Sequence, residues 1–442
     1  MISPRSALAA LVLVALVASP LAAQRYFSLR AVRRPAPPAG SYVPGEVIVG
    51  FAVADDFARV ERALRGVGGV AARRSRHGGR FLVTLEEGRS VASAVAELEA
   101  MPEVEYAEPN GIVSAFLTPD DPEFELQWHM RQIGAERTWD IQTGDPSVAV
   151  AILDTGIAYE DFGPFRKAPD FGNTVFLRGF NVFDGSEHAN DDNFHGTHVA
   201  STVAESTNNG LGAVGLAFGC ALMPVKVLDS DGTGTFFGVS EGIDYVVNFR
   251  QDGQNPVKVI NLSLGGDFVS TTLGAAVDRA VDAGITVVAA SGNEGKRGVS
   301  FPASHARTIA VGATDGRRER AIYSNTGPEL DVLAPGGNVD RDDDRNGFPD
   351  GVLQQTFDPF TAAVFGRYDD FDLFFVDGTS QAAPHVAAIA ALLYTQGITD
   401  PDAIRESIRS TAEDLGPEGR DDDTGYGLVQ PARALSGLGL NQ

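Results

Sequence analysis

One cysteine, Cys220, stands in a chain of 442 residues. No intrachain disulfide can form, so stability must come from packing or bound metal. Basic side chains are scarce. The 35 Lys and Arg face 59 Asp and Glu, leaving a formal net charge of −24. This excludes a protein that grips nucleic acid, since phosphate binding needs a basic face. Long apolar runs are missing after the first two dozen residues, so no later stretch suits a bilayer.

The one such run lies at the start. Arg5 gives a positive beginning, Ala7 to Ala18 is apolar, and Leu21-Ala22-Ala23 offers small residues for cleavage. This is the pattern of a signal peptide over residues 1–23, and it predicts a secreted, extracellular protein. From Gln24 to Phe116 there are 12 Arg and 11 Asp or Glu; after Phe116, 22 Lys or Arg face 48 Asp or Glu. The shift from near-neutral to strongly acidic suggests two units with charge balances that favour mutual attraction.

In the first unit, residues 24–116, Arg33 to Gly40 is a proline-rich linker. Strands are expected at Glu46–Phe51, Arg80–Leu85 and Val104–Pro109, and helices at Phe57–Leu64 and Val91–Leu98. The alternation predicts a small α+β domain. In the second unit, residues 117–442, Val148–Leu153 and Ile285–Ala290 are continuous apolar runs, and Val225–Leu228, Val257–Leu262 and Thr308–Ala313 are similar, mainly apolar stretches. Runs without polar alternation fit strands buried on both faces of a mainly parallel sheet. Helical patterns lie between them at His195–Ala204, Gly238–Asn248 and Leu273–Ala283. The fold class is therefore α/β, with ligands expected at the carboxyl ends of the strands.

Three polar residues close or follow those runs: Asp154 after Ile152-Leu153, His195 opening a helix, and Asn293 after Ser291-Gly292. A fourth, Ser380, stands in Gly378-Thr379-Ser380-Gln381-Ala382-Ala383-Pro384-His385. Pro384 is tolerated in a first helical turn, so Ser380 is expected at or just before a helix N-terminus, among free N–H donors. Each alone is an ordinary cap or turn residue. Together they form a nucleophile, Ser380; a general base, His195; an orienting carboxylate, Asp154; and an oxyanion donor, Asn293.

In Asp154-Thr155-Gly156, His195-Gly196-Thr197-His198-Val199-Ala200 and Gly378-Thr379-Ser380, the chain resembles the subtilisin-like serine proteases, in that family's order Asp, His, Ser. The likeness includes Asn261-Leu262-Ser263-Leu264-Gly265-Gly266 and Asp331-Val332-Leu333-Ala334-Pro335-Gly336, and runs on to Val429. It implies a three-layer fold and a serine endopeptidase acting on protein or peptide substrates, with no cofactor for catalysis. It also implies that residues 24–116 are an inhibitory, fold-assisting propeptide. Gly232, Thr233 and Gly234 on one side and Ser263, Leu264 and Gly265 on the other resemble the edges that clamp an extended peptide, by strand addition. Ala290, Ser291 and Gly292 would line the pocket for the residue before the scissile bond. Their small, uncharged walls predict an apolar or aromatic side chain there. Ser300 stands where the family often has glycine, at the pocket base. His198 and His385 are expected to be structural. Gln381 replaces the family's common methionine, and Ala382, Ala383 and Ser201 also depart from it. Self-cleavage is expected near Phe116, after Val113-Ser114-Ala115, and a monomer is expected.

Residues 337–376 form an acidic insertion. Within it Asp342, Asp344, Asn346 and Asp350, with the Phe348 carbonyl, place oxygen at alternate positions around Gly347, a calcium-loop pattern; Asp340 adds a carboxylate. A second, weaker calcium site resembles the family's loop at Asn209, Leu211 and Ala213. Two rival readings compete. Gly238-Val239-Ser240-Glu241-Gly242 fits the Gly-x-Ser-x-Gly elbow of α/β-hydrolases, although a loop-like stretch precedes it. The other is a secreted calcium-binding or inactive protease-like protein, against which stand all four catalytic-type residues.

Overall fold

A computed structural model of the chain describes residues 42–51, 57–76, 79–112 and 117–437. The signal-peptide and linker stretches and residues 113–116, which hold the expected cleavage site, lie outside the described residues. The chain forms two compact units that divide between Ile112 and Val113.

The first unit is a four-stranded antiparallel sheet with two helices. Its elements are β1 (Tyr42–Phe51), α1 (Phe57–Gly66), β2 (Gly69–Arg74), β3 (Arg80–Leu85), α2 (Val91–Glu99) and β4 (Val104–Gly111), in sheet order β2-β3-β1-β4. Val47, Val49, Val83, Ala94 and Leu98 form its core, each fully buried. The expected α+β pattern is present, with one strand more than expected. β2 is an edge strand whose residues from Val70 to Arg74 are exposed, so no buried face imprints alternation on it.

The second unit opens with the short helices α3 (Trp128–Gln132) and α4 (Ala135–Trp139). A seven-stranded parallel sheet follows. Its strands are β5 (Ala149–Asp154), β6 (Phe180–Asn181), β7 (Ala221–Lys226), β8 (Val257–Leu262), β9 (Thr286–Ala290), β10 (Ile309–Thr314) and β11 (Val332–Pro335). The order is β11-β10-β9-β8-β5-β7-β6. β5 is buried from end to end because both its faces are covered. Val150 and Ile152 point into one core with α5 (His195–Ala204); Ala149, Ala151 and Leu153 point into the other with α6 (Phe236–Asn248) and α7 (Thr271–Asp282). This is the helix–sheet–helix arrangement of an α/β fold. β7 and β8 flank β5, so the strand order reverses there, where an open α/β sheet leaves a crevice for ligands.

Part of the acidic insertion is regular structure. β12 (Val352–Phe357) and β13 (Phe371–Val376) form an antiparallel pair joined through α8 (Pro359–Phe365). β12 packs on α5: Ser201 Oγ donates to the Gln355 carbonyl at 3.1 Å, and Thr356 Oγ1 to the Phe194 carbonyl at 2.8 Å. The chain closes with α9 (Thr379–Thr395), α10 (Pro401–Thr411) and α11 (Pro431–Leu435). α9 is buried along almost its whole length. Among the described residues no helix is long and apolar enough to cross a membrane.

Candidate active site

Asp154 is the last residue of β5 and is completely buried. Its Oδ1 lies 2.7 Å from His195 Nδ1 and accepts the Thr155 N–H at 2.7 Å. A carboxylate only accepts here, so His195 carries its proton on Nδ1 and offers the Nε2 lone pair outward. The helix bearing His195 approaches β5 closely. A Cβ on Gly196 would stand 2.1 Å from the Gly156 carbonyl oxygen, so only glycine fits after the histidine. Burial works against protonation of His195, but the charge and hydrogen bond of Asp154, with Asp191, outweigh it and hold the imidazole above its ordinary value. The ring is 22% exposed, which limits the burial penalty.

Ser380 is the second residue of α9, so its backbone N–H is one of the helix's unpaired donors. Gly378 before it has φ +148°, and a Cβ there would stand 2.8 Å from Gln381 Oε1. Pro384 does not lie in the first turn, as expected from sequence, but is the sixth residue of α9. A proline inside a helix leaves the carbonyl four residues back without its N–H partner. That carbonyl belongs to Ser380, and the Ser263 hydroxyl donates to it at 2.7 Å. In return Ser380 Oγ donates to the Ser263 carbonyl at 3.1 Å. In this state no hydrogen bond joins Ser380 Oγ to His195 Nε2; catalytic bonds often tighten only around substrate.

Asn293 follows β9. Its Oδ1 accepts from the Thr379 N–H at 2.9 Å and the Thr379 hydroxyl at 2.8 Å. The side chain is thereby oriented and its Nδ2 kept as a donor beside Gly378. Asp154, Ser263 and Asn293 thus end or follow β5, β8 and β9, three adjacent strands, with the start of α9 bonded to the last two.

The segments expected to hold substrate lie at the surface. Gly232, Thr233, Gly234 and Gly265 are exposed and Leu264 is half-buried. Asp229 Oδ1 accepts the Thr233 N–H at 2.9 Å and stiffens the first segment. Ala290 and Ser291 are buried, and Gly292 N–H donates to Thr379 Oγ1 at 3.2 Å. Ser300 stands between the two walls. A Cβ on Gly292 would meet Ser300 Oγ at 2.5 Å, and one on Gly265 would meet Ser300 Cβ at 2.9 Å.

A model of the subtilase family matches residues 145–427. The chain belongs to the subtilase family. A model of the fervidolysin N-terminal prodomain matches residues 31–110. The subtilase is 35% identical over 382 residues to a thermophilic serine proteinase of Bacillus sp. strain AK1, covering 86% of this chain and 85% of that one. It is 36% identical over 330 residues to subtilisin E of Bacillus subtilis, covering 73% and 74%. A third relative, a minor extracellular protease of Bacillus subtilis, is 30% identical over 350 residues, covering 76% and 47%. Among solved structures, a protease of Pseudoalteromonas arctica superposes with a TM-score of 0.63 at 31% identity, covering 73% of this subtilase and 99% of that chain. The protein is thus a subtilisin-like serine endopeptidase with an N-terminal prodomain.

The Gly-x-Ser-x-Gly alternative fails in this subtilase. Ser240 is buried inside α6, and its hydroxyl donates to the Phe236 carbonyl at 2.6 Å, so it sits on no strand-to-helix turn. His198 Nε2 lies 3.2 Å and 3.1 Å from the Val352 and Phe374 carbonyls; it ties α5 to the β12–β13 pair. Burial pushes His198 and His385 each down to about 4. His385 Nδ1 donates to the Gln381 carbonyl at 2.8 Å, so its neutral Nε2 accepts from His129 Nδ1 at 2.9 Å. His129, whose pairing was not anticipated, is likewise buried and held well below the ordinary imidazole range by burial and by His385.

The two loops expected to hold calcium differ in arrangement. In the insertion, Asp342 Oδ1 and Asp344 Oδ1 both accept the Asn346 N–H at 3.0 Å, and Gly347 turns at φ +91°. Asn346 Oδ1 accepts the Phe348 N–H at 2.8 Å. Asp350 turns inward, its Oδ2 on the Asp343 N–H at 2.6 Å. Burial pushes its carboxyl up, and the charges of Asp344, Asp343 and Asp342 add to that rise. The Asp340 N–H donates back to Asn338. At the second loop Asn209 Nδ2 donates to Asp170 Oδ1 at 2.7 Å, Leu211 N–H to Asn209 Oδ1 at 3.0 Å and Ala213 N–H to Asp170 Oδ2 at 3.1 Å. Asp121 accepts the Asn208 N–H at 2.8 Å. Burial raises Asp170 to about 6, and Asp121 adds repulsion. Among the described residues no three His, Cys, Asp or Glu side chains gather as a metal-binding group.

Proposed function

We propose that the protein is a secreted, self-processing endopeptidase in which Ser380, His195 and Asp154 act as nucleophile, general base and orienting carboxylate. The observation that carries this is the 2.7 Å bond between His195 Nδ1 and buried Asp154, at the end of the strand beside the one whose following Ser263 bonds Ser380. When an extended peptide adds as a strand between residues 232–234 and 263–265, Ser380 Oγ turns from the Ser263 carbonyl to His195 Nε2. It attacks the scissile carbonyl carbon as Nε2 takes its proton. The oxyanion meets the Ser380 N–H and Asn293 Nδ2. Collapse breaks the C–N bond, and the imidazolium returns the proton to the leaving amine. Water then repeats the steps on the acyl-enzyme, releasing the acid and Ser380.

Secretion is supported by the Met1–Ala23 pattern and by the likeness to a relative named as extracellular. The prodomain acts as the intramolecular inhibitor until cleavage near Phe116. Calcium, where bound, supplies rigidity rather than chemistry. The loop Asp342–Asp350 is one place for it and the loop Asn209–Ala213, with Asp170 and Asp121, the other. In both, crowded carboxylates gain from a cation. The test is the Ser380→Ala chain expressed alone. It should accumulate as uncleaved precursor and hydrolyse no peptide. Processing at the parent's rate would refute the assignment.

A further inference from the structure

One buried carboxyl group beside this site takes no part in the steps above. Asp191 lies four residues before His195 and is 1% exposed. Its Oδ1 accepts the Thr155 hydroxyl at 2.8 Å, the Asn193 N–H at 2.9 Å and the Phe194 N–H at 3.1 Å. Its Oδ2 accepts the Thr197 N–H at 2.9 Å and the Thr197 hydroxyl at 2.6 Å. Thr155 follows Asp154, and Thr197 lies two residues beyond His195. One side chain therefore fastens the strand end that carries the orienting carboxylate to the helix start that carries the base. The Thr155 hydroxyl extends the link by accepting the Gly196 N–H at 2.9 Å.

Backbone strain lies inside the same clasp. Phe194 has φ +103° and ψ −29°, a conformation that a residue with a side chain keeps only when its surroundings impose it. Asp191 holds its N–H, and the Thr356 hydroxyl of β12 holds its carbonyl at 2.8 Å. The next residue is His195.

We propose that Asp191 is a positioning residue of the catalytic centre, clamping the strained loop that aims His195 at Asp154 and adding a second negative charge that favours the imidazolium formed during attack. This rests on His195 being the general base. The other charges around the ring are few. Asp154 bonds it directly. Asp192 is paired with Lys226 of β7 at 2.6 Å. His198, one turn along α5, is neutral at the pH of catalysis. β12 and the Thr379–Gln381 start of α9 carry no ionisable side chain. Removing Asp191 therefore removes a charge that nothing nearby replaces.

The test is the pH dependence of kcat and KM for the full chain carrying Asp191→Asn, Thr356→Val or His195→Ala. Asp191→Asn should lower kcat about tenfold or more with KM little changed. It should also move the acid limb of kcat/KM down by roughly half a pH unit, as loss of a nearby negative charge requires. Thr356→Val keeps every charge, so it should lower kcat without moving that limb. An unmoved limb in folded Asp191→Asn overturns the proposal and leaves Asp191 a helix cap. If Asp191→Asn does not fold, Thr356→Val decides: unchanged kcat overturns the clamp. Activity retained by His195→Ala would instead refute the base assignment itself.

Discussion

Removing the Ser263 hydroxyl tests how the catalytic helix tolerates its internal proline. In Ser263→Ala two groups lose a partner. The Ser380 carbonyl loses its 2.7 Å donor. Asn261 Nδ2, in a wholly buried residue, loses the Ser263 Oγ acceptor at 3.0 Å. An unpaired buried polar group costs about 1–3 kcal/mol, so losing partners for two of them should cost the variant roughly 2–6 kcal/mol. Pro384→Ala returns an N–H four residues beyond the Ser380 carbonyl. Alone it should be worth little, since Ser263 already serves that carbonyl and the chain loses about 0.4–1 kcal/mol of proline rigidity. In the double variant the new N–H takes over the carbonyl, and about 1–2 kcal/mol should return while Asn261 stays unpaired. The assay is thermal or urea unfolding of protein blocked with a serine-directed phosphonylating reagent, which prevents autolysis, read as a double-mutant cycle. Additive effects of the two substitutions would refute the idea that Ser263 replaces the bond Pro384 removes.

Because Asp154 holds His195 above its ordinary value, the acid limb of kcat/KM should have its midpoint above about 6.5, and a midpoint well below that would contradict the geometry. Asp154→Asn should cut kcat by about 10⁴-fold with KM little changed. Ser300→Gly should deepen the pocket and raise kcat/KM for phenylalanine relative to alanine before the scissile bond by about tenfold; an unchanged ratio on paired peptide substrates would show that Ser300 does not limit depth. A chelator should lower the unfolding temperature of the inhibited enzyme, and Asp342→Asn with Asp344→Asn should shrink that shift; a full shift in the double variant would place the responsible ion elsewhere. Gln381→Met should lose activity in peroxide faster than the parent, since a thioether oxidises to a polar sulfoxide; equal loss rates would dismiss a role for Gln381.

Much of this was legible from residue order because the informative positions are fully buried or tightly constrained. The runs that became β5, β8 and β9 are mostly apolar because helices cover both sheet faces, and α5 occupies the expected His195–Ala204. The hidden parts have physical reasons. β2 is an exposed arginine-bearing edge without alternation. β12 is buried but reads Val-Leu-Gln-Gln-Thr-Phe, since its polar side chains and carbonyls bond α5 and neighbouring loops. Pro384 pointed to a later helix start, because the hydroxyl that excuses it lies 117 residues away in sequence. Nothing in Asn190-Asp191-Asp192-Asn193 marks out Asp191, because only the folded chain brings Thr155 beside it.

The distances along the chain between bonded partners bear on how the protein folds. His129 and His385 are joined across 256 residues, and β5 is completed only by β7 and β8, which come later. Closing such long loops costs entropy before any contact offsets it, so topologies of this kind reach the native state slowly. An unfinished or truncated chain that ends before α9 lacks Ser380, the proposed nucleophile, and the helix that fills the core behind it. Proteolytic activity therefore belongs only to chains that have completed the search. A chain still being made is no threat to the cell that makes it.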